Sequence, residues 1–474
     1  VKAVMGTFSL LLEKPLGPLA SMRIHSALAY AMTAALIYLF LSRDAGRAGG
    51  LCGAAAWCLM PRVFGHAHIG AAETTIAFIS LAAVYTFVKG LESPRWSIVF
   101  GVVFALALNT KINCVFLPLV LIPWAHVYHR GRYANNVFSM IFLSPPLMVA
   151  TWPWLWPDPA VRFLEYLYFF VTHQMTAVFY FGRKFNYGGT PAPWHYPVVM
   201  TLIATPPAIL LLAAAGAAGA IRRIVRDDRS ALALWGFTVM MSVAMLPNSP
   251  KYDGLRLFIP ALMFLALLSG WGMQYVIAFV SKRAASERDD TRARKLGALC
   301  ILLTMVSCIY GIARYHPHEL SYFNIFMGGI RGAYEKGMET TYWGEAVNKD
   351  IYNALNELPK GARIKTLALH ARVFEILQEW GRLRGDLRFN EGDPPWDYHL
   401  LSVRKGFFGK PEWMLYAGWE PLKVWSHQEV PLVILSRTGL SFEQVWPYYP
   451  EYSEQNADAI KKGKDPETGH LIVD

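Results

Sequence analysis

Charged residues are scarce in this sequence. Only 17% of its 474 residues are charged and 54% are hydrophobic, with a mean hydropathy of +0.27. A soluble globular chain usually carries about a quarter charged residues. Long apolar runs account for the difference, so the sequence predicts a protein that crosses a membrane several times.

Cysteines and cofactor motifs are also few. The five cysteines lie in or beside apolar runs, at Cys52, Cys58, Cys114, Cys300 and Cys308. None falls in the polar C-terminal third, which argues against a disulfide framework or a Cys-x-x-Cys metal site. His316 and His318 invite a metal interpretation, but no further ligand stands at a useful spacing. The sequence also lacks a GxGxxG motif, which argues against a nucleotide donor bound in a Rossmann domain.

The formal net charge of +11 would suggest nucleic acid in a soluble protein. Here the basic residues fall in short loops between apolar runs, which indicates membrane topology and no nucleic-acid partner. Basic loops at 43–47, 89–95, 130–132, 222–229 and 282–295 alternate with poorer ones at 61–73, 109–113, 153–196 and 248–256. Positive-inside orientation across about ten spans places the poorer loops on the outer face.

This pattern predicts two domains. Residues 1–314 form a mostly α, polytopic membrane helical bundle, with residues 1–22 at its interface. Apolar runs are at 24–43, 50–60, 74–88, 97–109, 112–127, 136–152, 197–220, 231–247, 257–280 and 296–313. In residues 315–474, strand-like runs at 362–370, 413–418 and 430–437 alternate with helical stretches, which predicts an extracytoplasmic α/β domain.

The stretch PRVFGHAHIGAAETT (61–75) is the densest polar patch among the apolar runs. It contains Arg62, His66, His68 and Glu73. Ionisable groups at a bilayer boundary are costly unless they meet water, a partner or a substrate, so we interpret the patch as functional.

A second polar break lies between two short apolar runs. The run 97–109, as a helix, covers only about 20 Å of a hydrocarbon core near 30 Å. A backbone break at that depth survives only in protein or in a wet cavity. Lys111 would then meet an anion such as a phosphate. The alternative is a lysine that reaches outward to the interface.

The outer loop 153–196 is rich in tryptophan and proline, as expected of an interfacial belt. Residues 160–180 predict a helix lying on the membrane surface. His173 and His195 either belong to that anchor or roof a substrate cavity.

The segment SPKYDGLRLFIP (249–260) places Lys251, Asp253 and Arg256 before an apolar run. Asp253 and Arg256 share a helix face if the helix begins early enough. They either pair with each other, or Arg256 makes a bidentate contact with a lipid phosphate.

The order of several segments resembles a known family. The segments are residues 26–90 (SALAYAM to YTFVKG), FALALNTK (104–111), TPAPWHYP (190–197), YDGLRLFIPAL (252–262) and HPHELSYFN (316–324), followed by GGIRGAY and YWG. In this order they resemble bacterial dolichyl-phosphate-mannose protein mannosyltransferases. This is glycosyltransferase family 39, close to the lipid A aminoarabinose transferases, with the GT-C fold. The resemblance covers nearly the whole chain, and the order of the motifs is more specific than any one of them.

The resemblance implies an inner-membrane enzyme with its C-terminal domain outside the cytoplasm. It would move a sugar from a polyprenyl-phosphate donor to a protein or glycolipid acceptor, within the lipid bilayer. No cofactor or metal is assigned, and a divalent cation is left open.

The resemblance and the polar pattern together give candidate residues. The donor-phosphate ligands are Lys111, Arg256, Lys251 and Arg62, and the substrate-cavity residues are His66, His68, Asp253, His173 and His195. A base must deprotonate the acceptor. Relatives supply an acid from their first outer loop, and that loop is not visible in this sequence. Either a further N-terminal span and that loop precede this chain, or this copy lacks the usual base. Glu73 is therefore our candidate for the catalytic carboxylate, although many relatives carry Asp at its position.

Other functions remain open at this point. A phosphoethanolamine-type transferase would carry metal ligands in the soluble domain. A polyprenyl-linked glycan transporter or flippase would often show paired broken helices, and only one broken pair stands out, at 97–127. The third alternative is a catalytically inactive partner subunit.

Overall fold

The computed structural model describes residues 2–172, 175–186, 190–225, 228–247, 249–285, 290–391, 396–409, 412–413, 415–416 and 421–437. The chain divides into two units. Unit 1 comprises Val1–Gln174, Pro193–Lys251 and Leu255–Glu319, and unit 2 comprises Met175–Ala192, Tyr252–Gly254 and Leu320–Asp474. Unit 2 thus takes up two short segments that precede the boundary at 314/315 used in the sequence analysis.

Unit 1 is helical. Its helices are α1 (Lys2–Leu16), α2 (Pro18–Asp44), α3 (Gly46–Cys58), α4 (Pro61–Ala67), α5 (Glu73–Gly90), α6 (Pro94–Thr110), α7 (Leu117–Tyr128), α8 (Ala134–Phe138), α9 (Ser144–Thr151), α10 (Pro159–Thr172), α11 (Tyr196–Ala204), α12 (Pro207–Arg222), α13 (Asp228–Met245), α14 (Ile259–Ala285) and α15 (Asp290–Tyr315). A π-helical turn, Ser139–Leu143, joins α8 to α9.

Helix positions follow the apolar runs, and prolines mark many of the helix starts. Pro18, Pro61 and Pro94 each stand in the first turn of their helix. Proline suits that position because its missing N–H would have no partner within the helix. The predicted helical runs of residues 24–313 are confirmed as helices, several of them split at polar or proline-rich points.

Helices α12 and α14 pack closely against each other in unit 1. A Cβ on Gly216 would overlap the backbone carbonyl of Leu268, and a Cβ on Gly272 would overlap that of Leu212. Small residues at such crossings let two backbones approach closely, as is common in membrane helix bundles.

Two helices in the described residues are long and apolar enough to cross a membrane, Pro18–Asp44 and Arg256–Val280. Shorter apolar helices span Pro94–Thr110, Ile112–Tyr128 and Pro207–Arg222. The number of spans and their orientation stay a prediction.

Unit 2 contains a hairpin that pairs β1 (Val178–Tyr180) with β2 (Arg183–Phe185), and a separate mixed sheet of five strands. The strands of that sheet are β3 (Arg363–Leu367), β4 (Arg388–Phe389), β5 (Tyr398–Ser402), β6 (Pro421–His427) and β7 (Val430–Arg437). Their order is β4-β3-β5-β7-β6. β3 runs parallel to β4 and β5, and β7 runs antiparallel to β5 and β6. Helices α16 (Gly329–Glu335), α17 (Lys349–Asn356) and α18 (Ala371–Glu379) complete the unit.

The structure confirms part of the predicted pattern here and corrects the rest. The strand-like runs 362–370 and 430–437 contain β3 and β7. The strand predicted at 413–418 is wrong, because Trp413, Leu415 and Tyr416 are helical. Trp413 and Leu415 pack into a core cluster with Phe408. Large apolar side chains can fill such a cluster from a helix as well as from a strand. The helix predicted over 160–180 ends at Thr172 and is followed by β1.

Candidate functional site

A buried carboxylate and two cations meet in unit 1. Glu73, the first residue of α5, is 1% exposed. Its Oε1 accepts a hydrogen bond from Arg256 Nε at 2.8 Å. Lys111 Nζ lies 3.8 Å from the same oxygen. We call these three residues the charge cluster.

The backbone places each cation at a break between helices. Lys111 is extended (φ −163°, ψ 140°) between the end of α6 and a 3-10 turn, Ile112–Phe116. Arg256 opens a 3-10 turn that leads into α14. The predicted interruption between the short apolar runs is therefore confirmed at Lys111.

The three side chains of the charge cluster differ in exposure. The side chain of Glu73 is 2% exposed, that of Arg256 is 21% exposed and that of Lys111 is 28% exposed. The carboxylate therefore lies beneath two more accessible cations, with a net charge of +1. Two donors held by one acid can receive a further anion without moving, which is the arrangement expected of a phosphate site.

The second oxygen of Glu73 is also informative. Oε2 is buried and has no hydrogen-bond partner among the described residues. Both cations approach Oε1 instead. The described contacts of Glu73 are therefore those of a side chain that orients Arg256 and Lys111.

Helix α4 brings part of the central polar patch to this region. His66 is 4% exposed and interacts electrostatically with Glu73. Arg62 is 2% exposed. His68 is exposed, packs its ring 4.4 Å from Phe64 and forms a hydrogen bond with the Phe64 carbonyl. The patch thus divides into buried residues and one surface histidine.

Lys251 has a different environment from the charge cluster. It is 1% exposed, and its Nζ donates to the backbone carbonyls of Leu246 at 2.5 Å, Ser249 at 3.1 Å and Pro247 at 3.4 Å. These carbonyls belong to the loop that follows α13, and the C-terminal end of a helix favours a cation. Its assignment as a phosphate ligand stays a prediction.

Asp253 belongs to unit 2, and the sequence did not predict its hydrogen-bond and ion-pair partners. Its Oδ1 lies 2.5 Å from Arg404 Nη2, and its Oδ2 accepts from Trp343 Nε1 at 2.6 Å. Asp253 has a φ of +57°, so it cannot begin the helix that the shared-face pairing with Arg256 requires.

Arg404 is the centre of this second network. One guanidinium nitrogen donates to the Tyr342 carbonyl, and Nε lies 3.9 Å from Glu339 Oε1. Gly406 N donates to the same Glu339 oxygen at 3.0 Å. Burial raises the pKa of Glu339 to about 8, and the Asp253 charge adds to the rise. No motif marks Arg404 or Glu339, so sequence reasoning missed both.

The remaining candidates lie apart from these contacts. His195 is half-buried, with its ring 5.6 Å from that of Trp194, at the start of α11. His173 lies outside the described residues. His316 Nδ1 lies 2.7 Å from Glu319 Oε1. No group of three metal-binding side chains occurs in the part of the chain that the structure describes.

Comparison with known proteins adds a family match. Residues 8–156 match the family model described as Dolichyl-phosphate-mannose-protein mannosyltransferase. No curated protein matches the chain. The matched segment contains Arg62, His66, His68, Glu73 and Lys111.

Solved structures show a weaker likeness. ArnT from Cupriavidus metallidurans in the apo state is 13% identical, with 91% of this chain and 86% of that chain covered and a TM-score of 0.47. The same protein bound to undecaprenyl phosphate gives 13% identity, the same coverage and a TM-score of 0.43. The Archaeoglobus fulgidus oligosaccharyltransferase in the apo form is 13% identical, with 75% of this chain and 49% of that chain covered and a TM-score of 0.42.

The family model and the sequence motifs agree independently of the solved structures. The resemblance drawn from the motifs is confirmed over residues 8–156, which hold Glu73 and Lys111 and have the sequence pattern of the dolichyl-phosphate-mannose-protein mannosyltransferase family. The motifs at 190–197, 252–262 and 316–324 lie beyond the matched segment.

Proposed function

We propose that this protein is a membrane glycosyltransferase that moves a sugar from a polyprenyl-phosphate donor to an extracytoplasmic acceptor, either a protein or a glycolipid. The observation that carries the proposal is the charge cluster, in which two cations share one buried carboxylate. The family match over residues 8–156 gives the reaction class. The proposed location is the inner membrane, with the C-terminal domain outside the cytoplasm.

The charge cluster suits the donor phosphate. Arg256 presents a planar guanidinium, which contacts phosphate oxygens in a bidentate manner. Its Nε is already engaged with Glu73, which fixes the plane of the group. Lys111 supplies a second, more mobile point charge from the helix break.

The same two cations would act in the chemical step. The acceptor oxygen or nitrogen attacks the anomeric carbon of the sugar, and the bond from that carbon to the phosphate oxygen breaks. Polyprenyl phosphate leaves with one more negative charge than it had in the donor. Cations already fixed at that position stabilise the developing charge without reorganising.

The acceptor must also lose a proton. We assigned this role to Glu73 from the sequence, and that assignment stays a prediction. Its contacts support a different role, because Oε1 holds both cations and the side chain is only 2% exposed. We propose that Glu73 is first a positioning residue for Arg256 and Lys111.

The test is sugar transfer by the purified full chain in proteoliposomes. Labelled polyprenyl-phosphate sugar is supplied with lipid and peptide acceptors, and product is followed over time. Transfer by the wild-type chain, and its loss in Arg256→Ala, would support the proposal. Movement of intact donor lipid between leaflets without transfer would identify the flippase alternative instead. Neither activity would favour an inactive partner subunit.

A further inference from the structure

A groove on unit 1 is separate from the charge cluster. Gly131, Tyr133, Ala134, Val137, Phe138, Ile141 and Phe142 line a cavity of about 450 Å³. It runs from the loop after α7 along α8 and the π-helical turn. We propose that this groove binds an anionic membrane phospholipid, with an acyl chain along the phenylalanines and the phosphate at Arg130 and Arg132.

The apolar side of the groove is open. Phe138 is 63% exposed, Ile141 is 52% exposed and Phe142 is 63% exposed. The rings of Phe138 and Phe142 lie 4.7 Å apart, so they form one continuous surface. Such a surface suits a hydrocarbon chain.

The opposite side of the same segment is fixed by polar contacts. Asn136 is fully buried, and its Nδ2 donates to the Phe87 carbonyl at 2.9 Å. Ser144 Oγ donates to the Gly101 carbonyl at 2.8 Å. These bonds hold the π-helical turn against α5 and α6, so the phenylalanine surface is preformed. π-helical turns of this kind often mark functional sites.

Charge selects the kind of lipid. Arg130 and Arg132 are exposed, and they flank Gly131, which lines the groove. The sequence from Ser93 to Pro157 contains no acidic residue, and Asp228, which comes from α13, pairs with His129 Nε2 at 2.6 Å. Tyr133, which also lines the groove, hydrogen-bonds His126 at 3.0 Å. A cationic rim with a tyrosine beside an apolar channel matches a phosphate headgroup above an acyl chain, as basic pockets at the cytoplasmic face do.

The inference rests on the membrane embedding proposed above, and it is independent of the donor site. Its occupant is a bulk phospholipid rather than the polyprenyl-phosphate donor, since the charge cluster, which we assign to the donor, shares no residue with the groove.

The experiment uses the purified full chain in detergent and native mass spectrometry. Cardiolipin, phosphatidylglycerol and phosphatidylcholine are titrated separately. We expect the two anionic lipids to bind more tightly than phosphatidylcholine. Arg130→Gln combined with Arg132→Gln should weaken anionic lipid binding roughly 30-fold. Phe138→Ala combined with Phe142→Ala should weaken binding of all three lipids.

Matched controls separate this groove from general surface charge. Arg47 and Arg222 are also exposed, and in the predicted topology they lie on the same face. Arg47→Gln combined with Arg222→Gln should leave lipid binding unchanged. All variants are first compared with the wild type by gel filtration, which confirms that each one folds.

Three results would overturn the inference. The first is equal loss in the Arg47/Arg222 control, the second is displacement of the bound lipid by polyprenyl phosphate, and the third is occupation of the groove by a second copy of the chain. Transfer is measured on the same samples. A chain that binds anionic lipid but transfers no sugar would contradict the proposed function alone.

Discussion

Arg256 donates from Nε to Glu73 Oε1 at 2.8 Å, across 183 residues of sequence. This bond joins the first residue of α5 to the turn before α14. Lys111 approaches the same oxygen from the break after α6. The account of function depends on these two cations being held ready for a lipid phosphate.

The role of Glu73 can be separated from that of a base. Glu73→Gln removes the counter-charge of two cations that are 21% and 28% exposed, so we expect the ligand-free protein to lose roughly 1–3 kcal/mol of stability. Polyprenyl phosphate would replace the lost charge. Its addition should therefore raise the melting temperature of the variant more than that of the wild type.

Kinetics give the second readout for Glu73. A positioning role predicts a changed KM for the donor lipid together with a reduced kcat. A base predicts a fall in kcat alone. An unchanged donor KM with equal thermal shifts in both proteins would contradict the positioning role.

The two cations should differ in importance. Arg256 lies 2.8 Å from the carboxylate and Lys111 lies 3.8 Å away. We expect Arg256→Ala to lower kcat about 100-fold or more, and Lys111→Ala to lower it less. Initial rates of sugar transfer in proteoliposomes measure both. Arg331→Ala, which removes an exposed arginine of unit 2, is the control and should transfer at the wild-type rate.

The network around Arg404 is expected to stabilise unit 2. Asp253 is 4% exposed and Arg404 is 8% exposed. Asp253→Asn would leave the buried guanidinium without its charged partner, at a cost of about 3–5 kcal/mol. Arg331→Ala breaks only exposed ion pairs and should change stability by less than about 1 kcal/mol. Limited proteolysis in increasing denaturant would compare the two variants, and similar curves would count against the buried network.

Glu339 predicts a pH dependence of unit 2. Burial raises its pKa from 4.5 to about 8, so the folded state binds this proton more tightly than the unfolded state does. The stabilising contribution is complete below about pH 4.5 and is lost as the pH rises to about 8. Lys405, whose pKa burial lowers to about 8, acts in the opposite direction and above that window.

The measurement is the denaturant midpoint of unit 2 at pH values between 5 and 8. Limited proteolysis of the full chain reports the unfolding. The midpoint should fall with pH in the wild type and fall less in Glu339→Gln. A fall of the same size in both proteins would assign the effect to other groups.

Much of unit 1 could be predicted from the sequence because its helices are local. Apolar runs and first-turn prolines set most of the boundaries, and the short run 97–109 revealed the break at Lys111. The alternation of basic and poorer loops placed Glu73, Lys111 and Arg256 on one face of the membrane. It could not predict that Glu73 pairs with Arg256, since no local pattern links residues so far apart. The protein partner that the sequence suggested for Arg256 was its neighbour Asp253.

Unit 2 was harder to predict. β5, Tyr398–Ser402, is wholly buried and includes His399 and Ser402, so it shows neither a clean alternation nor an apolar run. Trp413 and Leu415 looked like part of a strand because they are large and apolar, but packing against Phe408 rather than strand propensity decides their place. Arg404, which pairs with Asp253, lies 151 residues away in the sequence, so no short motif links the two residues.

The most direct test of the central claim is binding of polyprenyl phosphate to the purified full chain, compared with the double variant Lys111→Ala/Arg256→Ala. The account predicts saturable binding to the wild type that is sensitive to salt, and a loss of at least about 100-fold in the variant. Equal affinity in the two proteins would contradict it.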